Sequence, residues 1–230
     1  MSLISDLFSV FFPTHCFMCG KRTFHSEDFI CASCNMQMPR THYAENPYNN
    51  YLAQVFWGRI PIEKASSLFF YNPDSKPATA IYDLKYHNHP EIGVDFGKLM
   101  AQEFSAHDFF KDIDVIVPLP LAKNRLRERG YNQSEMIAQG VKEITGIPIN
   151  TGIVERTIYK ESQTHKDRWS RYDNVEGVYH LLNANEAKGK HILLIDDVIT
   201  SGATICSCAN EIAKAGNVKF SVISLGFAKK

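Results

Sequence analysis

Nowhere in its 230 residues does the chain approach twenty consecutive apolar side chains, the length needed to span a bilayer, so stable membrane insertion is not expected. Net charge is missing as well. The 25 Lys and Arg residues balance 25 Asp and Glu, and no overall field draws the protein to nucleic acid or to a membrane surface. A nucleic-acid partner would need a local basic patch. The opening stretch MSLISDLFSVFFPTHC lacks the marks of a secretory leader: no basic residue precedes its apolar run, Asp6 interrupts it, and no small-residue cleavage site follows. Leu3, Leu7 and Phe11 recur at four-residue spacing instead, which predicts an amphipathic helix docked on the body of the protein. A membrane-surface helix would carry Lys or Arg on its polar face, and this one has neither. The expected location is cytoplasmic. Internal repeats and low-complexity tracts are also missing, and a composition of 44% hydrophobic and 22% charged residues is that of an ordinary globular protein.

What is present falls into two textures. Residues 1–60 read as an N-terminal helix, a short polar cysteine-rich segment and a connector containing Pro47, Asn49 and Asn50. Residues 61–230 read as the main domain. There SLFFYN predicts a strand, and ATAIYDLKYHN and EIGVDFGKLMAQEF predict amphipathic helices. Ile113–Val117 is a β-branched run of the buried-strand type. A helix is expected over Asn132–Thr145, with an Asn132/Glu135 cap and Gly146 as its stop. His191–Ile195 is a second buried strand, followed by a helix from Ala203 to Ala215 and a last strand, Val218–Leu225. Strands alternating with helices give an α/β fold, a mostly parallel sheet flanked by helices.

Four of the six cysteines form two pairs, Cys16-x2-Cys19 and Cys31-x2-Cys34, separated by eleven residues. Two such knuckles can converge on one tetrahedral Zn²⁺. The segment between them has too few apolar residues to fold on its own core, so a structural zinc is the expected staple of a small zinc-ribbon-like module. Disulfides, a redox dithiol and iron are the alternatives, and His15 or His25 stands close enough to replace one ligand. Four thiolates would close the site to catalysis. Cys206 and Cys208 fall on a predicted helix and read as small core residues.

The most informative stretch is His191-Ile-Leu-Leu-Ile-Asp-Asp-Val-Ile-Thr-Ser-Gly-Ala-Thr204. An apolar strand leads to two carboxylates, and a hydroxyl- and glycine-containing turn then opens a helix. Free N–H groups at a helix N-terminus attract phosphate. Gly202 permits close backbone approach, and Thr200, Ser201 and Thr204 add hydroxyl donors. Asp196 and Asp197 are placed to accept hydrogen bonds from a sugar diol beside that phosphate. Together they describe a ribose 5-phosphate site. An aspartyl pair of a receiver domain is the competing reading, but receivers carry their acids near the start of the domain, and only 33 residues follow Asp197.

A second segment, Val117-Pro-Leu-Pro-Leu-Ala-Lys-Asn-Arg-Leu-Arg-Glu-Arg-Gly-Tyr-Asn-Gln-Ser134, follows the other buried strand. Lys123, Arg125, Arg127 and Arg129 face only Glu128 in charge. Such a cluster past a strand end suits pyrophosphate, whose oxygens guanidinium groups chelate; a solvated helix face is the plainer alternative. Further on, Arg156, Gln163, Arg168, Arg171 and Asn174 lie in a polar stretch that suits either a lid or a surface loop.

The Asp-Asp loop resembles the phosphoribosyl pyrophosphate (PRPP) loop of type I phosphoribosyltransferases. The order of motifs also resembles the ComF/GntX family: paired CxxC knuckles, a Leu-Lys-Tyr helix, Arg-Gly-Tyr-Asn-Gln, a later Gln…Arg…Asn stretch and the Asp-Asp loop. The likeness runs from about Leu7 to Ala228. It implies a type I phosphoribosyltransferase-like fold, with Asp196 and Asp197 on the ribose hydroxyls and Thr200, Ser201, Gly202, Ala203 and Thr204 on the 5′-phosphate. Lys123, Arg125 and Arg129 would then meet pyrophosphate, with Mg²⁺ arriving on PRPP. Purine-salvage members carry an acid at the place of Thr200, so its absence argues against purine salvage. The resemblance also implies a role in DNA uptake, natural competence or use of DNA as a nutrient. Glutamine-dependent chemistry is rejected, because the chain lacks an N-terminal nucleophilic cysteine and a glutaminase domain.

Three activities follow as expectations. The first is phosphoribosyl transfer to an unidentified acceptor, for which no side chain stands out as a general base. The second is sensing or retaining PRPP without turnover, with competence or DNA-uptake proteins as partners. The third is single-stranded DNA binding along the basic segment, with Tyr131, Trp169 and Tyr172 as stacking rings.

Overall fold

The computed structural model describes residues 15–23, 29–157 and 178–229. The N-terminal helix expected around Leu3, Leu7 and Phe11 lies outside these residues. So do His25, Gln163, Arg168, Trp169, Arg171, Tyr172 and Asn174.

The main sheet has four strands: β1 (Ile62–Phe70), β2 (Val115–Pro118), β5 (His191–Ile199) and β6 (Lys219–Phe227). Their order is β1-β6-β5-β2 and every pairing is parallel. Both faces are covered, which is why the strands read as near-continuous apolar runs. Against one face pack α3 (Lys76–Tyr86), α4 (Pro90–Ser105) and α6 (Gln133–Thr145), whose Leu84, Phe96 and Ile137 meet Leu193, Ile195 and Ile223. Against the other pack α2 (Tyr51–Phe56), α8 (Ala203–Ala213) and an antiparallel hairpin, β3 (Val154–Arg156) with β4 (Tyr179–Leu181). Phe56, Ile205 and Ile212 here meet Ile192, Leu194 and Val222. Among the described residues there are also short helices α1 (Ala32–Gln37), α5 (Lys123–Arg129) and α7 (Ala184–Ala187) and a 3-10 turn, Tyr43–Glu45.

Helices α4 and α6 touch backbone to backbone. A Cβ built at Gly140 would lie 2.0 Å from the Val94 carbonyl oxygen, and one at Gly97 would lie 2.2 Å from that of Ile137. Only glycine allows this approach. The interface carries α6, and with it the N-terminal end of α6, up against β2 and β5.

Element ends differ from expectation where polar residues sit inside regular structure. β5 continues to Ile199, four residues past the expected end, because β6 goes on pairing with it through Asp196↔Ser224, Val198↔Gly226 and Ile199↔Phe227. β2 has already stopped at Pro118↔Ile195. β1 likewise begins at Ile62, before the apolar run that announced it, and includes Lys64. Asn132 does cap α6, but its side chain accepts from the Ser134 amide and no Glu135 box forms.

The N-terminal ends of the strands hold buried polar groups that have partners. Lys64 is 5% exposed, and its ammonium donates to the carbonyls of Phe109 (3.0 Å) and Lys111 (2.9 Å). Burial pushes its pKa down. His191 Nε2 lies 2.8 Å from Ser221 Oγ, and its amide donates to Asp114 Oδ2 at 2.8 Å.

The cysteine segment is joined to the body of the protein. Cys16, Met18, Ile30, Cys34 and Met38 share the core of the α4 face, and Phe29 packs edge-on to Phe96 at 5.0 Å. Arg40 ties the segment down, donating from Nε to both Glu103 carboxylate oxygens (2.8 and 2.9 Å) and from its terminal nitrogens to Asn35 O and Oδ1. Cys206 and Cys208 are buried on α8, as expected of core residues. Among the described residues no helix is long and apolar enough to cross a membrane.

Candidate functional site

Because β5 outruns β2, its last four residues have a strand neighbour on one side only, and a step opens beyond Pro118. Asp196 and Asp197 stand on that step. In an open parallel sheet this is where ligands bind, outside the carboxyl ends of the strands.

The two carboxylates have different surroundings. Asp197 Oδ1 lies 2.8 Å from the ammonium of Lys85 on the last turn of α3, with both side chains largely covered. Asp196 Oδ1 accepts from the Asp197 amide (2.9 Å) and from Ser134 Oγ (3.3 Å) at the start of α6. Burial, followed by the neighbouring charge of Asp197, pushes the Asp196 carboxyl up to about 7. A carboxylate pair with one cation between them holds an excess of negative charge, and free acceptor positions remain for hydroxyl donors.

The Arg-Gly-Tyr-Asn-Gln-Ser stretch acts here as a brace. The Tyr131 hydroxyl donates to the Leu84 carbonyl at 2.5 Å, next to Lys85. Asn132 Nδ2 donates to the Leu119 carbonyl (3.0 Å), just past β2, while its Oδ1 caps α6. Ser134 reaches Asp196. One six-residue segment thus fixes the end of α3, the end of β2 and one carboxylate of the pair. Arg129, at its head, lies over the Tyr86 ring at 5.1 Å.

Past β5 the chain turns through Thr200, Ser201 and Gly202 into Ala203 and Thr204, the first residues of α8. Gly202 has φ +70° and provides no side-chain cap, leaving the first-turn amides to other acceptors. Ser201 Oγ accepts from the Ala203 amide at 3.4 Å. The loop is held from outside by Arg59, whose Nη1 donates to Ser201 O (2.8 Å) and Val55 O (3.0 Å). The requirement for glycine has a different source from the one the sequence suggested. A Cβ at position 202 would strike Val55 Cγ1 and Phe56 Cε1, each at 2.8 Å, so α2 excludes a side chain there whether or not phosphate is bound.

Lys123, Arg125 and Arg127 lie on α5, which buries none of its residues. The Lys123 ammonium is 3.5 Å from Glu155 of β3, an exposed pair. On the hairpin, Arg156 lies over the Tyr179 ring at 5.7 Å. Two buried polar atoms near these elements, Tyr179 Oη and Gln133 Nε2, have no hydrogen-bond partner.

Three residues of this site escaped sequence reasoning. Lys85 and Ser134 were visible only as members of recurring motifs, since nothing local says which carboxylate either will meet. Arg59 carried no signal at all.

The sulfur atoms of Cys16, Cys19, Cys31 and Cys34 all lie within 4.8 Å of one another, with Cys19 and Cys31 at 3.8 Å. Four thiolates about 2.3 Å from a tetrahedral zinc would be roughly 3.8 Å apart. The cluster therefore fits that ion, and all four cysteines are free of disulfides.

No family model matches the chain. Among curated proteins it is 25% identical over 219 residues to the "Competence protein F" of Haemophilus influenzae, covering 89% of this chain and 91% of that one. It is 24% identical over 204 residues to the "DNA utilization protein YhgH" of Escherichia coli, covering 87% and 85%. It is 35% identical over 107 residues to the "Competence protein ComFC" of Bacillus subtilis, covering 45% and 41%. Among solved structures, a glutamine phosphoribosylpyrophosphate amidotransferase from B. subtilis aligns with 61% of this chain and 30% of its own, at 20% identity and a TM-score of 0.40. Along most of its length the chain is thus similar, at about a quarter identity, to proteins named for competence and for DNA utilization, and over a shorter stretch to ComFC.

Proposed function

We propose that the chain binds PRPP at the β5–α8 turn and transfers its phosphoribosyl group to an acceptor in the service of DNA uptake or DNA use. The observation that carries this reading is the carboxylate pair on the step beyond β2, followed at once by the uncapped start of α8. The spacing suits a sugar diol next to a phosphate, and Lys85 already neutralises part of the pair.

In this reading Asp196 and Asp197 accept hydrogen bonds from the ribose 2′- and 3′-hydroxyls. The Thr200, Ser201 and Thr204 hydroxyls and the amides from Gly202 to Thr204 hold the 5′-phosphate. Lys123, Arg125 and Arg129 receive the pyrophosphate as the bond from C1 to its oxygen breaks and a bond from C1 to the acceptor forms. Positive charge builds at C1 in that step, and the Asp pair lies on the same sugar to stabilise it. Mg²⁺, held by PRPP oxygens and water, would add charge neutralisation to the departing pyrophosphate. The four-cysteine cluster takes no part in the chemistry. One structural zinc, closed by its four thiolates, would hold the N-terminal segment on α4.

Titration calorimetry with PRPP and Mg²⁺ tests the site, and release of pyrophosphate with a panel of nucleobases and amines tests transfer. Saturable binding at one site per chain supports the reading. Binding without turnover would leave a PRPP sensor, and no binding at all would remove both activities. Metal analysis of the purified protein is expected to give one zinc per chain, and a value near zero with four free thiols would contradict the zinc assignment.

A further inference from the structure

The β5–α8 turn brings no cation of its own to a phosphate. Thr200, Ser201, Gly202, Ala203 and Thr204 are all uncharged, and two carboxylates, Asp196 and Asp197, precede them. The guanidinium that reaches the turn comes from 142 residues earlier in the chain. Arg59 lies at the corner between α2 and β1, where Gly58 takes φ +71° and the Phe56 carbonyl accepts from the amides of Arg59 (3.0 Å) and Ile60 (3.3 Å). Its backbone is thus anchored independently of its side chain. From this corner Nη1 donates to the Val55 carbonyl (3.0 Å), one of those that the end of a helix leaves without an internal donor, and to the Ser201 carbonyl (2.8 Å). Both acceptors are neutral, which leaves the positive charge for an anion at the turn.

A peptide group is planar and trans, so its C=O and N–H point in opposite directions. The Ser201 carbonyl faces Arg59, and the Gly202 amide of the same peptide therefore faces away from it. A peptide that precedes glycine is also the one a turn rotates most easily, because glycine accepts φ of either sign. Rotation by half a turn would present an acceptor to a phosphate in place of a donor. We infer that Arg59 is a positioning residue for the 5′-phosphate of PRPP: it holds the Ser201–Gly202 peptide with its N–H towards the phosphate and places positive charge behind it. The inference rests on the PRPP reading given above. A hydrogen bond on the carbonyl also polarises the N–H across the peptide and strengthens it as a donor. Fastening α2 is the plainer role, but α2 is already secured. Leu52 and Phe56 are fully buried, and Asn50 caps the helix while donating to the Ala65 carbonyl at 2.8 Å.

The sequence contains a single Ser-Gly dipeptide, at 201–202. Cell-free synthesis with carbonyl-13C serine and 15N glycine thus gives one carbonyl-coupled amide signal in an NMR spectrum of the full chain, that of the peptide in question. PRPP with Mg²⁺ is expected to move this signal in the wild type. Arg59→Ala should move it without ligand, since the carbonyl loses its donor. In calorimetric titration Arg59→Ala should bind PRPP roughly ten- to hundredfold more weakly, as for loss of a hydrogen bond from a charged donor. Arg59→Lys should restore most of the affinity and bring the signal back towards its wild-type position, because an ammonium can bridge two carbonyls as that of Lys64 does. Should Arg59→Ala not fold, Arg59→Gln, which keeps a donor and loses the charge, takes its place. A side chain that only fastened α2 would leave the PRPP affinity of the folded variant unchanged, and that result would overturn the inference. So would a Gly202 signal unmoved by Arg59→Ala, or an Arg59→Lys protein as weak as the Ala variant. Wild-type protein that binds PRPP without moving the Gly202 signal, or does not bind it, would instead refute the 5′-phosphate site itself, and the role of Arg59 with it.

Discussion

The two ends of one sheet treat polar residues in opposite ways. At the N-terminal ends of the strands a buried lysine and a buried histidine each find partners: Lys64 bonds two carbonyls, His191 meets Ser221, and Asp114 takes the His191 amide. At the C-terminal ends only one of two adjacent carboxylates, Asp197, meets an ammonium, a buried phenol and a buried amide lack partners, and the helix that follows has no side-chain cap. Buried polar groups are ordinarily satisfied; of the three exceptions among the described residues, Ser66 Oγ lies midway along β1, while Tyr179 Oη and Gln133 Nε2 lie towards the carboxylate pair, as the proposed ligand site there would allow. One end secures the strands, and the other is held under electrostatic strain.

That contrast can be broken by substitution. The largest effect is expected from Lys64→Met, which keeps the length of the side chain but leaves the Phe109 and Lys111 carbonyls without their donor. Hydrogen bonds from a charged group contribute about 1.5–3 kcal/mol each, part of it offset by no longer burying a charge, so a net loss of ~3 kcal/mol is expected in urea unfolding. PRPP affinity should not change. A variant as stable as wild type would show that the N-terminal end does not secure the sheet.

At the other end, Asp196→Asn should stabilise the fold. The Asn Oδ1 can still accept from the Asp197 amide and from Ser134, and the like-charge repulsion is gone. The sign follows from the carboxyl pushed up to about 7 in the folded chain, against an unfolded value near 3.9. Between those values the folded state binds the extra proton, so stability falls as pH rises from about 4 to 7. The variant should match wild type near pH 4 and exceed it by ~2 kcal/mol at pH 7.5, since each tenfold difference in proton affinity corresponds to about 1.4 kcal/mol and relaxation of a buried pair takes back part of it. Thermal midpoints across that range measure it. A variant less stable than wild type at pH 7.5 would mean that the pair is a structural element and not a ligand site held at a cost.

The same contrast explains what could be read from the amino-acid sequence. The sheet was legible because strands covered on both faces must be apolar almost throughout, and Ile192 to Ile195 or Ile116 and Val117 have no alternative use. Reading faltered where function or a buried charge interrupts that pattern. Asp196 and Asp197 end the apolar run, so the sequence pattern stops β5 four residues too soon, and Lys64 hides the start of β1. The carboxylate pair, the hydroxyl loop and the basic segment were visible because their chemistry is local. Lys85, Ser134 and Arg59 were not, since each acts across more than 60 residues of sequence. Gly202 shows a subtler failure: the residue stands out in the sequence, but its neighbour, Phe56, lies far away in the chain. Gly202→Val is for that reason a poor probe of phosphate binding, because it would displace α2 first.

The central claim concerns Asp197, which can be altered with little risk to the core because its side chain lies on the step beyond β2 and not within either packed layer. Calorimetric titration of wild type and Asp197→Asn with PRPP and Mg²⁺ tests that claim directly. An amide retains one acceptor and presents a donor to the sugar hydroxyl, and Lys85 loses its counter-charge. Loss of a hydrogen bond to a charged group weakens binding roughly ten- to hundredfold, and that is the expected result in a protein that stays folded. A folded Asp197→Asn protein that binds PRPP as tightly as wild type would contradict the account.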